Sequence, residues 1–466
     1  MWHERRGGCV NRSQPVGWAA HREAVQTLQQ SYAAIPPGDT VRLAKKTSNL
    51  FRPRAEVGHG LDVSGLNGVI AVDPQARTAE VQGMCTYEDL VDATLPHGLM
   101  PLVVPQLRTI TLGGAVTGLG IEATSFRHGL PHESVLELDI LTGTGEVLTA
   151  RPDGEHAQLF AAFPNSLGSL GYATRLRIEL MPIAAGVRTT NLRFDRIDDL
   201  LEVVGTVMDT GEHEGRHVDV MDGVVFRPGE SYLVLGTFSD DAEPGSDYTG
   251  QDIYYRSLRS KATDRLRAYD YLWRWDTDWF WCSSAFGAQI PAVRRLWPRR
   301  YRRSDVYHRI VRWENRYGVA ARVGRWRGEL DRERVVQDVE LPLERTGDFL
   351  QWFAQEVPMA PLWLCPLRLR DREWPLYPMH AGQQYVNVGF WGTVPIEPGR
   401  RDGDVNRLIE DKVFELGGHK SLYSDAYYDR ETFDRLYGGP AYRAAKDRYD
   451  PDHRLTDLYD KVVGRR

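Results

Sequence analysis

Hydrophobic positions along the first 180 residues recur with the spacing of short strands and sparse helices. Residues 19–34 have the pattern of a helix, and Thr86 is placed to cap a second helix that Gly98 closes. Two-residue alternation between turn residues predicts strands at 41–44, 69–72, 78–81, 135–141, 146–149 and 173–180. This order predicts an α+β fold rather than a regular alternation of strands and helices.

The pattern changes near residue 183. Tryptophan, tyrosine and arginine become dense there, and strands such as 231–236 alternate with amphipathic helices, which predicts an α/β second domain. The last 50 or so residues have a mostly helical pattern, broken by glycine pairs. We therefore predict three parts, at 14–182, 183–410 and 411–466.

A glycine-rich stretch, residues 109–120 followed by 125–129, carries hydroxyls and no carboxylate before Glu122. Backbone N–H groups of such a turn can close on a pyrophosphate, because glycine lets the backbone approach without a Cβ in the way. Residues 118–123 also match the dinucleotide pattern G-x-G-x-x-A. That pattern needs a strand before it and a helix after it, and neither is predicted here, which argues against a Rossmann fold. A plain turn between strands is the alternative.

Five segments occur in a fixed order along the chain: 102–129 with its glycines, 335–342 (VVQDVELP), 361–366 (PLWLCP), 422–433 (LYSDAYYDRETF) and 458–461 (LYDK). Together they resemble one branch of the FAD-binding flavoproteins of the vanillyl-alcohol-oxidase type, the delta-24 sterol reductase (Diminuto/seladin) branch. The resemblance covers roughly residues 40–462.

The resemblance implies a two-subdomain PCMH-type FAD-binding domain at 14–182. It implies an α/β cap with the substrate site at 183–410, and C-terminal helices at 411–466 that pack back near the flavin. It also implies NADPH as the electron source for reducing a carbon–carbon double bond in a lipid. Related oxidases often attach FAD through a histidine, but here the corresponding loop holds only His59 outside the usual context. Non-covalent FAD is therefore expected.

Twelve residues are assigned to FAD from the glycine-rich segment and from the resemblance. The amides of residues 111–114 are expected to bind the pyrophosphate, and the hydroxyl of residue 125 and the guanidinium of residue 127 are expected nearby. Residues 128–129 are expected at the edge of the isoalloxazine, and residues 171–173 at the adenosine. The twelve are Thr111, Leu112, Gly113, Gly114, Gly118, Gly120, Ser125, Arg127, His128, Gly129, Gly171 and Ala173.

Reduction of an isolated alkene requires further groups in the active site. Such a bond is not polarised, so a proton donor is needed, together with aromatic faces that stabilise developing positive charge. Tyr423, Asp425 and Tyr427 are the acid candidates, because spacing by two puts them on one side of an extended segment. Their alternative role is to pack the C-terminus against the FAD domain. Gln337 with Asp338, and His380, are further candidates.

Composition narrows the function classes. A length of 466 residues suits two or three domains, and a net charge of -6 argues against a general nucleic-acid binder. The four cysteines are too scattered for a metal or redox pair. The sequence has neither a signal peptide nor an apolar stretch of about 18 residues, which predicts a cytoplasmic protein.

Six arginines lie within residues 294–303, interleaved with Leu296, Trp297 and Tyr301, and Trp313 follows. This mixture predicts peripheral contact of residues 294–313 with anionic lipid at the inner face of the membrane. A solvated basic face is the alternative.

The arginine-rich composition is typical of a GC-rich bacterial genome, and most bacteria make no sterols. The leading hypothesis is therefore FAD- and NADPH-dependent reduction of a mid-chain methylene-branched fatty acyl chain, on phospholipid, after a partner methyltransferase has added the methylene carbon. The alternatives are reduction of a sterol or steroid side chain, oxidation of an alcohol, sugar lactone or hydroxy acid on the same scaffold, and a non-enzymatic lipid-binding module.

Overall fold

The computed structural model describes residues 14–45, 58–240 and 245–463. The strands of the first part are β1 (Val41–Leu43), β2 (His59–Leu61), β3 (Val69–Asp73), β4 (Thr78–Gln82), β5 (Leu99–Pro101), β6 (Val135–Leu141), β7 (Val147–Ala150) and β8 (Tyr172–Pro182). Its helices are α1 (Gly17–Ala33), α2 (Tyr87–Thr94), α3 (Leu112–Thr117), α4 (Ser125–His128) and α5 (Ala157–Ala162).

The first part is built on an antiparallel sheet in the order β3-β4-β8-β6-β7, with β5 also paired to β8. The predicted strands and the hairpin at 142–145 are confirmed. The predicted cap of α2 is also confirmed, since the Thr86 hydroxyl accepts a hydrogen bond from the Asp89 N–H at 3.1 Å. Gly98 ends the turn that follows in a left-handed conformation.

The glycine-rich stretch is more helical than its sequence predicts. Residues 112–117 form α3, capped by Thr111, and residues 125–128 form the single turn α4. The expectation of a simple turn was wrong because Thr111 supplies an N-cap that compensates for two glycines of low helix propensity. No strand precedes Gly118, since α3 ends there, so the argument against a Rossmann fold is confirmed.

The second part, the cap, begins at residue 186. Its strands are β9 (Gly186–Phe194), β10 (Glu212–His213), β11 (Arg216–His217), β12 (Val220–Arg227), β13 (Glu230–Ser239), β14 (Thr263–Arg267), β15 (Arg332–Pro342), β16 (Leu362–Leu367), β17 (Tyr385–Pro395) and β18 (His419–Lys420). Its helices are α6 (Ile197–Thr210), α7 (Tyr254–Ser257), α8 (Ala268–Leu272), α9 (Pro291–Leu296), α10 (Ser304–Tyr317), α11 (Val319–Trp326), α12 (Leu343–Glu356) and α13 (Asp404–Glu415).

Eight cap strands form one antiparallel sheet in the order β14-β9-β13-β12-β16-β17-β15-β18. Val335, Val339 and Leu341 of β15 point to one face, where they pack with buried side chains of α6, α12 and α13. The opposite face, here termed the inner face, carries the alternate residues of β15, β16 and β17. Trp363 and Cys365 of the inner face share a buried cluster with Leu112 and Val116 of α3. The inner face therefore lies against the first part of the chain.

The C-terminal segment returns to the first part through α14 (Arg430–Leu436), α15 (Gly439–Tyr449) and α16 (Leu458–Val462). The Val41 N–H donates to the Arg454 carbonyl at 2.8 Å, and the Lys446 ammonium donates to the Ser169 carbonyl at 2.9 Å. The α+β class is confirmed. The predicted boundary at residue 410 falls inside α13, however, and β18 extends the cap sheet to Lys420.

Candidate active site

Residues 118–134 of the first part lie against the inner face and its connecting loops. The Gly118 carbonyl accepts a hydrogen bond from the Tyr377 hydroxyl, and the Ala123 carbonyl accepts one from the Met221 N–H at 2.8 Å. The Glu133 carboxylate accepts from the Arg370 N–H at 2.8 Å. The second half of the glycine-rich stretch is thus an interface between the two parts.

A fully buried ion cluster crosses this interface. The Arg274 guanidinium lies 2.9 Å from the Glu122 carboxylate of the first part and 2.9 Å from the Asp222 carboxylate of the inner face. Burial raises the pKa of Glu122, and the charge of Arg274 opposes that rise. One cation therefore compensates two buried carboxylates, one from each part of the chain. No local sequence pattern indicated this cluster.

Close backbone packing joins the two ends of the predicted FAD site. Gly83 follows β4, and a Cβ on it would collide with the Ala173 carbonyl of β8. The Gly83 carbonyl in turn accepts a hydrogen bond from the Gly113 N–H at 3.0 Å. Gly113 and Ala173, which are both predicted to contact FAD, therefore lie on either side of Gly83. A glycine two residues after the predicted strand 78–81 was the available signal for this close approach.

The amides assigned to the pyrophosphate have partners within the protein. The Leu112 N–H donates to the Cys85 carbonyl at 2.9 Å, and the Gly114 N–H donates to the Thr111 hydroxyl at 3.2 Å. These N–H groups therefore bond to other groups of the protein, and the position of the helix does not depend on a bound phosphate. Gly114 is half-buried on α3, and Gly120 is packed among Pro105, Ala115 and Pro131. Their assignment to FAD stays a prediction.

Ser125, Arg127 and His128 also have defined surroundings. The Ser125 hydroxyl accepts a hydrogen bond from the Glu122 N–H at 3.1 Å, and the Arg127 guanidinium donates to the Val218 carbonyl of the cap at 2.6 Å. Burial, and then the charge of Arg127, lower the pKa of His128 to about 4, so its imidazole is neutral at pH 7. Gly129 has φ +69° beside the Glu133 carboxylate, a conformation that favours glycine.

Among the acid candidates, Tyr423 lies beside a buried carboxylate. Its hydroxyl donates to the Asp338 carboxylate at 2.7 Å and accepts a hydrogen bond from the Trp391 indole N–H at 2.9 Å. Asp338 lies on the inner face and also accepts from the Asn387 amide at 2.8 Å. Burial raises the pKa of Asp338 to about 6. Asp338, Tyr423 and Trp391 thus form one hydrogen-bonded chain, termed here the acid chain.

The other candidates have different partners. Asp425 forms an ion pair with Arg334 at 2.8 Å, and Tyr427 packs under the Arg407 guanidinium. The expectation that Tyr423, Asp425 and Tyr427 share one side was wrong for Tyr427, because residues 421–425 run along β15 and the chain then turns to α13.

Gln337 and His380 lie away from the acid chain. Gln337 donates to Asn406 of α13 on the far face of the sheet, at 2.7 Å. His380 is exposed beside Glu373. His59 is also exposed, 3.0 Å from Asp39. Of the second group of candidates, only Asp338 joins Tyr423.

Trp391 of the acid chain packs into a group of five rings that is termed here the aromatic cluster: Trp275, Phe280, Trp281, Trp363 and Trp391. The ring centroids of Phe280 and Trp391 are 4.3 Å apart, and those of Trp275 and Phe280 are 4.8 Å apart. Gly389 leaves room for this packing, since a Cβ there would lie 2.6 Å from both the Asp338 carboxylate and the Trp391 ring. Aromatic faces and a buried acid therefore adjoin at one site.

Comparisons with known proteins show the class of this chain. Residues 22–151 match the family model of the FAD binding domain. Together with the sequence similarities of the whole chain, this match shows an FAD-dependent oxidoreductase with a PCMH-type domain.

The chain is similar over most of its length to Delta(24)-sterol reductases. It is 24% identical to the Arabidopsis thaliana protein over 450 residues, covering 86% of this chain and 76% of that one. It is 22% identical to the Homo sapiens protein over 421 residues, covering 86% and 75%. Cytokinin dehydrogenase 7 of Oryza sativa subsp. japonica is 40% identical over 122 residues, which cover 26% of this chain and 23% of that protein. The family resemblance predicted from the five segments is confirmed as homology.

The residues at the interface fit a bound flavin. Buried polar atoms without a hydrogen-bond partner in the described part of the chain include Asn387 Oδ1 and Ser424 Oγ, which adjoin the acid chain, and Ser166 Oγ, close in sequence to Gly171. Buried polar groups in proteins are normally paired, so unpaired ones are expected where a bound group completes the network. The half-buried Gly114 and Thr117 of α3 would border the cofactor on the other side.

Replacing Gly114 by valine is expected to lower flavin content at least about tenfold, a loss of about 1.4 kcal/mol of binding free energy. The new Cβ would lie 2.8 Å from the Thr111 hydroxyl, which caps α3, and the branched side chain would occupy the face of α3 assigned to FAD. The ratio of flavin to protein absorbance in the purified variant measures the effect. Gly250→Val is the control, because the nearest atom to its Cβ is 3.8 Å away. Full flavin content in Gly114→Val would remove α3 from the cofactor site.

Proposed function

We propose that this protein reduces a carbon–carbon double bond in a lipid, with FAD as cofactor and NADPH as electron source. The substrate proposed is a mid-chain methylene-branched fatty acyl chain on phospholipid, and the product is the methyl-branched chain. The observation that carries this proposal is the acid chain, in which a buried carboxyl is hydrogen-bonded to a phenol beside the aromatic cluster.

The reaction adds one proton and one hydride across the double bond. Bound reduced FAD supplies the hydride. The protein must deliver the proton to the terminal CH2 carbon, which leaves positive charge on the more substituted carbon. Trp391, Phe280 and Trp281 present aromatic faces beside the acid chain, and such faces stabilise a neighbouring cation by about 0.5–2 kcal/mol each. Phe280 and Trp281 are buried, which also keeps water away from that charge.

Tyr423 is the proposed proton donor, and Asp338 controls its proton. A phenol oxygen can accept two hydrogen bonds and donate one. When Asp338 is protonated, its hydroxyl donates to the Tyr423 oxygen, which also accepts from Trp391, so the Tyr423 proton is directed to a third partner. When Asp338 is ionised, its carboxylate instead accepts the hydrogen bond that the Tyr423 hydroxyl donates. In this structure the two oxygens are 2.7 Å apart. The protonated form of Asp338 is therefore the active one.

The rate of alkene reduction should therefore fall as pH rises through about 6, the raised pKa of Asp338. The acid form predominates below that pKa and decreases about tenfold for each further pH unit above it. Anaerobic single-turnover oxidation of the reduced enzyme by the alkene, followed from about pH 5 to pH 8, measures this profile. Reduction of the enzyme by NADPH is the internal control, since it requires no proton from Asp338. A flat profile for alkene reduction would contradict the role of Asp338.

Reduction of a sterol side-chain double bond is the second candidate function. The relatives named Delta(24)-sterol reductase favour it, and a trisubstituted alkene also gives a tertiary cation on protonation. The arginine-rich composition, which is typical of a GC-rich bacterial genome, favours the acyl chain, because most bacteria make no sterols. For the acyl substrate, a methyltransferase that adds a methylene carbon to an unsaturated chain must act first.

The decisive experiment is anaerobic. Purified protein is reduced with NADPH and mixed with phospholipid that carries a methylene-branched chain, or separately with a sterol containing a side-chain double bond. Reoxidation of the flavin with a two-hydrogen mass gain in the acyl chain supports the proposal. The same result with the sterol alone would assign the second candidate. Peroxide formation with an alcohol substrate in air would identify an oxidase, and protein purified without flavin would support a non-enzymatic module.

A further inference from the structure

Residues 290–330, which include α9, α10 and α11, form an exposed apolar and basic surface of the cap. We propose that this surface binds an anionic phospholipid bilayer and admits a lipid chain from the bilayer to the aromatic cluster. The second half of this inference rests on the proposed function, whereas the first half does not.

Large apolar side chains are concentrated on this surface. Nine of the thirteen that are exposed in the described part of the chain belong to it: Ile290, Val293, Leu296, Tyr301, Trp313, Tyr317, Val319, Trp326 and Leu330. Leu296 is 84% exposed and Trp326 is 86% exposed, so these side chains project from the protein rather than line a groove. Projecting leucine and tryptophan suit insertion between lipid headgroups better than a close fit to a folded partner.

The charge of this surface indicates what kind of partner binds to it. Residues 290–330 contain twelve arginines, no lysine and three acidic residues, a net charge of +9. Arg294 and Arg302 are buried and Arg303 pairs with Glu88, and without these three the net charge is still +6. The whole chain carries -6, so the rest of the chain carries -15. An anionic bilayer attracts the first charge and repels the second, which orients the molecule with this surface toward the membrane.

Three of the six arginines in residues 294–303, which were predicted to contact the membrane, bind other groups of the protein instead. Arg294 is buried and pairs with Asp278 at 2.6 Å, and Arg302 is buried against backbone carbonyls that include that of Trp297 at 2.9 Å. Arg303 pairs with Glu88 of the first part at 2.7 Å. These three arginines hold the loops together, because a guanidinium can satisfy several buried acceptors at once. Among the side chains that the structure describes here, the exposed arginines are Arg295, Arg299, Arg300, Arg309, Arg312, Arg316, Arg322 and Arg327.

The surface lies directly over the segment that carries the aromatic cluster. His308 of α10 meets the Trp279 ring edge-on, with centroids 4.4 Å apart, and the Tyr307 hydroxyl donates to the Thr277 carbonyl at 3.1 Å. Trp279 and Phe280 both have positive φ, at 47° and 60°, which is uncommon for aromatic residues and is typical of functional segments. Phe280 contacts Trp391 of the acid chain. Aromatic side chains thus connect the exposed surface with the proposed proton donor.

The test separates binding from catalysis. Flavin-loaded protein is sedimented with vesicles of phosphatidylglycerol, and with vesicles of phosphatidylcholine alone, without substrate. We expect binding to the anionic vesicles that weakens with added salt. The variant Leu296→Ser/Trp326→Ser should bind at least about tenfold more weakly, because two apolar side chains no longer insert. The control Leu136→Ser/Phe414→Ser removes exposed apolar groups elsewhere and should bind like the wild type.

Activity measured in parallel shows what the surface does. Leu296→Ser/Trp326→Ser should lose reduction of vesicle-embedded alkene to the same extent as it loses binding, and should keep reduction of detergent-dispersed alkene. Equal vesicle binding by wild type and variant would overturn the inference, as would a wild type that does not bind. A wild-type dimer that the variant converts to monomer, without vesicle binding, would assign the surface to a second copy of the chain. Vesicle binding without turnover of any alkene would instead overturn only the proposed function and the admission of substrate.

Discussion

Asp338→Asn and Tyr423→Phe should each lower the rate of alkene reduction by about 10²–10⁴-fold while flavin content and reduction by NADPH are kept. General acid catalysis by a positioned side chain contributes rates of this order. The asparagine has the shape of the aspartate but cannot exchange a proton with Tyr423, whose hydroxyl lies 2.7 Å from the carboxylate. The phenylalanine keeps the ring and removes the proposed donor. Anaerobic single-turnover mixing of reduced protein with the alkene measures both rates.

Two matched variants make this prediction specific. Asp425→Asn changes a carboxylate that pairs with Arg334, and Tyr427→Phe changes a ring that packs under Arg407. Both are expected to stay within a few-fold of the wild-type rate, because a partly exposed ion pair contributes about 0–1 kcal/mol. Loss of the reaction in Asp425→Asn or Tyr427→Phe, with activity kept in Tyr423→Phe, would transfer the acid role to that residue.

Arg274→Met should lower the free energy of unfolding by about 3–5 kcal/mol, the cost of leaving a buried charge without its partner. Glu122 and Asp222 each lie 2.9 Å from this guanidinium, and both are buried. Denaturant unfolding of the flavin-loaded protein measures the change. Arg295→Met, at an exposed position, is the control and should leave the free energy nearly unchanged.

Two further measurements show whether charge is the cause. Burial already raises the pKa of Glu122, and without Arg274 this carboxyl loses the charge that opposes the rise, so it destabilises the fold less at low pH and more as pH rises. The deficit of Arg274→Met should therefore shrink as the pH is lowered. The triple variant Arg274→Met/Glu122→Gln/Asp222→Asn should recover most of the loss, since it removes all three charges. No recovery in the triple variant would show that shape, rather than charge, holds this interface.

Local patterns predicted much of the first part of the fold. The hairpin at 142–145 and the cap of α2 by Thr86 depend on residues within a few positions of each other, so the sequence indicates them directly. Helix α3 was not predicted, because glycine has low helix propensity and the compensating cap at Thr111 reads equally well as part of a turn.

Long-range pairing explains why the site could be predicted only in part. Tyr423 was a candidate because of its motif, but Asp338 became its partner only through the register of β15 with residues 419–421, some 80 positions along the chain. The same limit applies to the arginine run. Composition predicts a basic surface, and only the fold shows that Arg294 and Arg302 are buried beneath it. The ion cluster of Arg274 joins residues from three distant segments and has no sequence signature.

The return of the C-terminal segment has a consequence for how this chain folds during synthesis. Val41 of β1 receives its hydrogen-bond partner from Arg454, and the Gly143 N–H donates to the Tyr449 carbonyl at 2.9 Å. The first part therefore cannot complete its edge until residue 454 has left the ribosome. Closing contacts across such separations is entropically costly and slow. The nascent protein exposes incomplete apolar surfaces during that interval, so its yield should depend on chaperone capacity more than that of a protein whose N-terminal domain folds on its own.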